Sequence, residues 1–254
     1  MTAAARRVPS WAAGRTPAGL AAARRRGRLG RAALVGFAVA SAGDLGSLLA
    51  GWDGGHVLFK PLLMPLLIGY VLTLGAPRLL VAALAFGWGG DMALLFDADA
   101  AFLVGMSSFA LGHVCYLVLF AKRPAPPVLG AAYLLALIGT ISLLWGDLPA
   151  ELRIPVAGYS LLLTCMAFRS SALGVRAASG GALFLLSDTL IATGVAEWPQ
   201  LPRPDFWIML TYLAAQYLLA TGVLAAGRTA GRTAGRTSGG TAPGQAYGRE
   251  VIQD

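Results

Sequence analysis

The chain has 254 residues, 57% of them hydrophobic and 13% charged, with a mean hydropathy of +0.67. A soluble domain carries about 25% charged residues, so an ordinary water-soluble domain is excluded, and hydrophobic runs long enough to cross a bilayer set the organisation. The net charge of +8 does not point to nucleic acid: the basic residues flank the hydrophobic runs, where anionic lipid lies, without a helix-turn-helix pattern or an aromatic-basic platform.

Residues 1–31 are crowded with arginine from Arg6 to Arg31 and read as a disordered cytoplasmic flank. The first hydrophobic run, 32–50, resembles a signal peptide in its Arg-rich approach and Ala-rich body. It extends beyond a usual signal core and lacks a persuasive cleavage site, so it is read as a retained helix. Further runs follow at 56–74, 78–96, 101–120, 127–145, 152–168, 177–194 and 206–226. Each is about 17 to 21 residues, or roughly 25 to 32 Å as a helix, which suits a hydrocarbon core of about 30 Å. The expected fold is an all-α polytopic membrane bundle of eight transmembrane helices over 32–226. The connections hold helix breakers such as Gly75-Ala76-Pro77 and Pro124-Ala125-Pro126-Pro127 and leave no room for a soluble domain. Residues 227–254 open with a Gly-Arg-Thr repeat and read as a disordered low-complexity tail.

Alternating the connections across the bilayer puts Arg78, Lys122, Arg123, Arg169, Arg176 and both basic termini on one side. The other side receives Asp53, Asp97, Asp99, Asp147, Glu151, Glu197 and Asp205, with only Arg153, Arg203 and Lys60 as cations. Both termini are therefore expected in the cytoplasm. Trp52, Trp145, Trp198 and Trp207 fall at the outer ends, as an interfacial aromatic belt requires. The expected location is a bacterial cytoplasmic membrane.

Ionisable groups at membrane depth mark function by default. Asp44, Asp91 and Asp188 each lie about five or six residues from an outer span end, roughly 8 to 9 Å deep, and Lys60 is near the same level. A protonated carboxyl beside an ionised one suits paired acid and base chemistry; a Lys-Asp network that only fixes helix positions is the plainer role. His113 and Tyr116 share a face of the fourth run, as Tyr212 and Gln216 do in the last. His113 is expected roughly 10 Å below the aspartates, bonded to Tyr212, Gln216 or a backbone carbonyl. Tyr159 and Ser108 are further pocket-lining candidates, and Gly87, Gly89 and Gly90 make room before Asp91 for a neighbouring helix or a narrow ligand. Cys115 and Cys165 lie inside hydrophobic runs, which argues against a disulfide scaffold, and two histidines cannot build a His-rich metal centre. No serine-hydrolase elbow, zinc-protease, Walker A or dinucleotide motif is present.

Lys60-Pro61-Leu62, Gly90-Asp91, Gly105-x-x-x-Phe109-x-x-x-His113-x-x-Tyr116, Gly181-Ala182-Leu183-Phe184 with Ser187-Asp188, and Tyr212-x-x-x-Gln216 occur in this order. Together they resemble the lysoplasmalogenase-like, or YhhN, family of integral membrane proteins over residues 56 to 220. Asp44 and both termini lie outside the resemblance. It implies an eight-span enzyme that hydrolyses the vinyl-ether bond of lysoplasmalogen-like lysolipids to a fatty aldehyde and a glycerophospho-amine. It singles out Asp91 and Asp188 as the acid/base pair. On that reading Lys60 could hold the phosphate or tune the pair, His113, Tyr116, Tyr212, Gln216 and Ser187 would support substrate or water, and Asp44, outside the matching pieces, is at most a neighbour. The proton chemistry needs neither a metal nor an organic cofactor, and the expected partners are a lysophospholipid-like molecule and membrane lipid. A small-solute or lipid transporter, or a membrane scaffold without catalysis, are the alternatives from other classes.

Overall fold

The computed structural model describes residues 16–238, with side chains to residue 230. These residues form eight α-helices: α1 (Pro17–Ala50), α2 (Asp53–Thr73), α3 (Arg78–Ala93), α4 (Asp99–Phe120), α5 (Pro127–Leu144), α6 (Ala150–Ser170), α7 (Val175–Val195) and α8 (Pro204–Ser238), with a 3-10 turn after α6. The protein is thus an all-helical polytopic bundle. Seven helices are long and apolar enough to cross a membrane. The eighth candidate, α3, has 16 residues, about 24 Å at 1.5 Å per residue. It stops before the expected position 96 because the amides of Leu95 and Phe96 bond to the carbonyls of Met92 and Ala93, three residues back, and the chain tightens into a turn.

Both terminal helices run past the expected span boundaries. The Thr16 hydroxyl accepts from the Gly19 amide at 3.1 Å, and Pro17 occupies the first turn, where its missing N–H costs nothing. The Ala, Leu and Arg that follow are strong helix formers, so residues 17–31, expected as a disordered flank, are helix instead. Likewise α8 continues through Ser238, because extending a formed helix avoids the cost of nucleation. The remainder of both expected disordered segments, 1–15 and 239–254, and with it the placement of the termini, lies outside the described residues.

Neighbours in sequence pack as neighbours in space: α1 on α2, α3 on α4, α7 on α8, while α6 bridges α4 and α7. The circuit closes where α1 meets α8, with Phe37 stacked on Tyr217 at 6.4 Å. The most buried helix is α8, which touches α1, α2, α3 and α7. Its approach to α7 needs glycine, since a Cβ on Gly180 would sit 2.7 Å from the Leu219 amide nitrogen and one on Gly222 would sit 2.9 Å from that of Ala177. Leu63, Met64, Leu67, Tyr116, Phe120, Met166 and Phe184 fill the centre. By contrast α5 packs mainly on α6 and buries only Leu144.

Two of the basic residues assigned to the inner face make helix-end contacts. The Arg169 guanidinium donates to the carbonyls of Phe120, Ala121 and Arg123 at 2.8, 3.1 and 2.7 Å, satisfying the C-terminus of α4. Arg123 donates in turn to the Ala226 carbonyl at 3.0 Å. At the other end of α6, the Trp198 indole donates to Asp147 at 2.7 Å.

Candidate active site

Asp91 stands on the last turn of α3 and is 2% exposed. The Tyr212 hydroxyl of α8 donates to its Oδ2 at 2.8 Å, and the Tyr212 oxygen accepts from Gln216 Nε2 at 3.2 Å. Gln216 completes the chain by accepting the Tyr116 hydroxyl of α4 at 2.9 Å. The spacing of four residues between Tyr212 and Gln216 is what lets one helical face carry both. Gly87 makes room for them, because a Cβ there would lie 2.8 Å from Gln216 Nε2 and 3.2 Å from the Tyr212 hydroxyl.

Asp188 on α7 has a similar arrangement. The Tyr159 hydroxyl of α6 donates to its Oδ2, and Tyr159 faces His113 Nε2 of α4 at 3.0 Å. Since the tyrosine proton is directed at the carboxylate, its oxygen accepts from His113, which places the imidazole proton on Nε2 and leaves Nδ1 as a buried acceptor without a hydrogen-bond partner. Each aspartate therefore receives a tyrosine hydroxyl that is itself backed by an N–H donor. The two chains of bonds touch through Phe184, whose ring packs edge-on against His113 at 4.8 Å and against Tyr212 at 5.5 Å. Asp91 and Asp188 lie close enough to sense each other's charge.

Their surroundings differ. Asp188 is half-buried and opens, with Tyr159, into a cavity of about 320 Å³ between α4, α5, α6 and α7. Its walls are mainly apolar, among them Phe102, Met106, Leu137, Ile141 and Leu186. Asp91 is not on that wall; it is within electrostatic reach of Lys60 and Asp44 instead.

Asp44 of α1 is fully buried, and its Oδ1 pairs with His56 Nδ1 of α2 at 2.8 Å. Lys60 follows His56 by one turn and is 6% exposed. Among the described residues no carboxylate lies within 4 Å of its ammonium. Ser187 turns away from the aspartates and donates to the Ile208 carbonyl at 3.0 Å, tying α7 to α8. Ser108 does the same between α4 and α3, donating to the Phe86 carbonyl at 2.6 Å.

The structure thus gathers Asp91, Tyr212, Gln216 and Tyr116 into one hydrogen-bonded chain and Asp188 and His113, through Tyr159, into another, the two meeting at the Phe184 ring. It corrects one expected pairing: His113 meets Tyr159, whereas Tyr116 takes the bond to Gln216. Depth counted along separate helices misses this because a tyrosine side chain spans from one helix to the level of another. Two partners exceed their sequence signal. Tyr159 was expected only as a pocket-lining residue, and His56 was not singled out at all, although it stands one turn before Lys60.

The YhhN family model matches residues 55–223, more than half of the chain. Among curated proteins, lysoplasmalogenase TMEM86B of Homo sapiens is 37% identical over 150 residues, covering 59% of this chain and 65% of the relative. The Rattus norvegicus lysoplasmalogenase TMEM86B is 33% identical over 175 residues, covering 68% and 74%. Lysoplasmalogenase TMEM86A of Bos taurus is 27% identical over 164 residues, covering 60% and 68%. The chain spans 65% of the human relative and 58% of the Sus scrofa one. No solved structure matches it. Asp44 and the whole of α1 precede the matched region, whereas Lys60, Asp91 and Asp188 with their tyrosines fall inside it. The protein is a member of the YhhN family of polytopic membrane proteins, the family to which its lysoplasmalogenase relatives correspond.

Proposed function

We propose that the protein hydrolyses the vinyl-ether bond of a lysoplasmalogen-like single-chain lipid, with Asp188 as acid and Asp91 as the partner carboxylate. The observation that carries this reading is the position of Asp188: a carboxyl held by Tyr159 on the wall of a mainly apolar cavity, within electrostatic reach of the buried Asp91. A hydrocarbon chain fits the cavity walls, and the double bond then lies beside Asp188.

The chemistry follows from the bond. Asp188 delivers a proton from its free oxygen to the alkenyl carbon distal to the ether oxygen, and the carbon attached to oxygen becomes oxocarbenium-like. Asp91, buried behind that wall with Lys60 within electrostatic reach, stabilises that cation by its charge, and Asp188, now ionised, takes a proton from the attacking water. As the hemiacetal breaks its bond to the glycerol oxygen, Asp188 gives its proton to that oxygen and takes the proton of the hemiacetal hydroxyl, so the glycerol leaves as an alcohol, the chain leaves as an aldehyde and Asp188 is again protonated. One water is consumed and no net proton. Tyr159 and Tyr212 hold the two carboxyls in orientation throughout, each fixed from behind by His113 or Gln216. The relatives reported above are mammalian, so they support an integral membrane location and do not specify a bacterial membrane.

The test is product analysis after incubating the purified protein with a lysoplasmalogen and, separately, with its saturated ether analogue. Aldehyde should appear only from the vinyl ether, and Asp91→Asn and Asp188→Asn should each lower kcat by about 10² to 10⁴. Aldehyde at wild-type rate from either variant overturns that residue's role. Solute flux in vesicles without lipid cleavage would identify a transporter instead.

A further inference from the structure

We infer that His56 and Lys60 form the site for the phosphodiester of the lipid headgroup, with Asp44 as the residue that positions His56. The inference rests on the hydrolase reading for its choice of lipid, but not for its geometry. His56 and Lys60 are four residues apart on the first turns of α2, so their side chains share one face. Asp44 holds Nδ1 of His56 at 2.8 Å, which fixes the ring and directs Nε2 away from Asp44. His56 is 18% exposed while its partner is fully buried, so the pair has one solvent-reached side, and it is the imidazole.

Lys60 supplies the second and stronger argument. It is more than nine-tenths buried, makes no hydrogen bond and has no carboxylate within 4 Å among the described residues. Its ammonium is not among the fully enclosed unpartnered polar atoms; the stem is covered and the charged tip remains reachable. A buried ammonium left without contact partners is costly, more so at membrane depth. The two carboxylates nearby do not discharge it: Asp44 bonds His56 through Oδ1, its Oδ2 has no hydrogen-bond partner among the described residues and neither oxygen lies within 4 Å of the ammonium, and Asp91 acts on Lys60 only at longer range. An anionic oxygen that accepts from both Lys60 and His56 Nε2 completes the cluster with charge-assisted bonds.

A phosphodiester also suits this placement. In a lysolipid the phosphate and the ether oxygen are separated by the glycerol carbons, so the phosphate must bind near the acid/base pair but not on it. Lys60 meets that condition by sensing Asp91 without touching it. The assignment gives Asp44 a task that does not require it to join the proton chemistry.

The experiment measures binding to the full-length protein in nanodiscs, using a saturated 1-alkyl-glycerophosphocholine, the 1-alkylglycerol of the same chain, and inorganic phosphate. Wild type should bind the phosphocholine lipid more tightly than the alkylglycerol. Lys60→Gln and His56→Asn should each weaken the phosphocholine lipid roughly ten- to a hundredfold, the value of a charge-assisted hydrogen bond, and leave the alkylglycerol unchanged. Asp44→Asn should behave as His56→Asn does. Lys60→Arg, which keeps a cation, should recover most of the affinity and shows that the loss is not one of folding. Equal losses for both lipids, or no loss for the phosphocholine lipid, overturns the site. Inorganic phosphate that binds as tightly as the lipid and displaces it would make this a free-anion site and overturn the headgroup assignment. Because the saturated ligands are not cleaved, this binding pattern in a protein that releases no aldehyde would retain the phosphate site and refute the hydrolase reading.

Discussion

Replacing Gly87 by alanine tests whether the Asp91 arm works as one unit. The added Cβ would stand 2.8 Å from Gln216 Nε2 and 3.2 Å from the Tyr212 hydroxyl, whereas ordinary contact begins at 3.4 Å. Gln216 must therefore give way by about 0.6 Å, the difference between those two distances. Its bond to Tyr212 is already 3.2 Å, so that displacement takes it out of hydrogen-bonding range. The Tyr116 bond at 2.9 Å and the Tyr212 bond to Asp91 at 2.8 Å are then strained in turn. Loss of one buried bond costs about 1 kcal/mol and the overpacking itself about 1 to 3 kcal/mol. The expected result is a fall of about 2 to 4 kcal/mol in thermal stability in detergent, together with a kcat for aldehyde release lowered about tenfold or more through misplacement of Asp91. A double-mutant cycle isolates the cause. Gln216→Ala removes the atom that the new Cβ strikes, so Gly87→Ala should cost much less in that background, with a coupling of about 1 kcal/mol or more. Strict additivity of the two changes, or a Gly87→Ala protein with wild-type kcat and stability, would refute the argument.

Tyr159→Phe strips Asp188 of its donor and leaves the His113 Nε2–H buried without an acceptor; kcat should fall roughly ten- to a hundredfold, and steady-state rates at wild-type level would contradict the assignment. Ala136→Trp fills the cavity from α5, so KM should rise for long alkenyl chains and much less for short ones, and a chain-length profile identical to wild type would remove the cavity as the tail site. Ser187→Ala deletes the bond to the Ile208 carbonyl and should read out as about 1 kcal/mol of stability, measured by thermal unfolding, with KM unaltered; a selective rise in KM would return Ser187 to the substrate.

The helices were legible because their signal is local: a run of about 20 apolar residues closed by Gly, Pro or Asp needs no partner to be recognised. Their ends were less so. The expected stop at residue 96 overlooked the tightening turn after Ala93, and the expected start at residue 32 took no account of Thr16 and Pro17, a cap and first-turn proline that the sequence does contain. At the site, Asp91 and Asp188 stood out as costly groups in apolar runs, and the four-residue step from Tyr212 to Gln216 foretold their shared face. Which partner each would find across helices did not follow, because it depends on tilt and rotation fixed by packing over the whole bundle. His113 illustrates this: its own helix gives its depth, but the reach of Tyr159 from α6 decides its bond. The Asp44 pairing with His56 lay beyond pattern reading for the same reason, since it joins two helices through a single 2.8 Å contact.

The loose seating of α5 has a consequence of its own. This helix is anchored mainly through α6, buries one residue and still provides five residues of the cavity wall, from Ala136 to Leu144. The aspartates, their tyrosines and the residues behind them all stand on other helices. Selection for a different tail can therefore act on α5 alone, through residues whose replacement disturbs little packing, while the reacting groups stay fixed. On the proposed reading, the part that measures the chain and the part that breaks the bond are free to diverge at different rates.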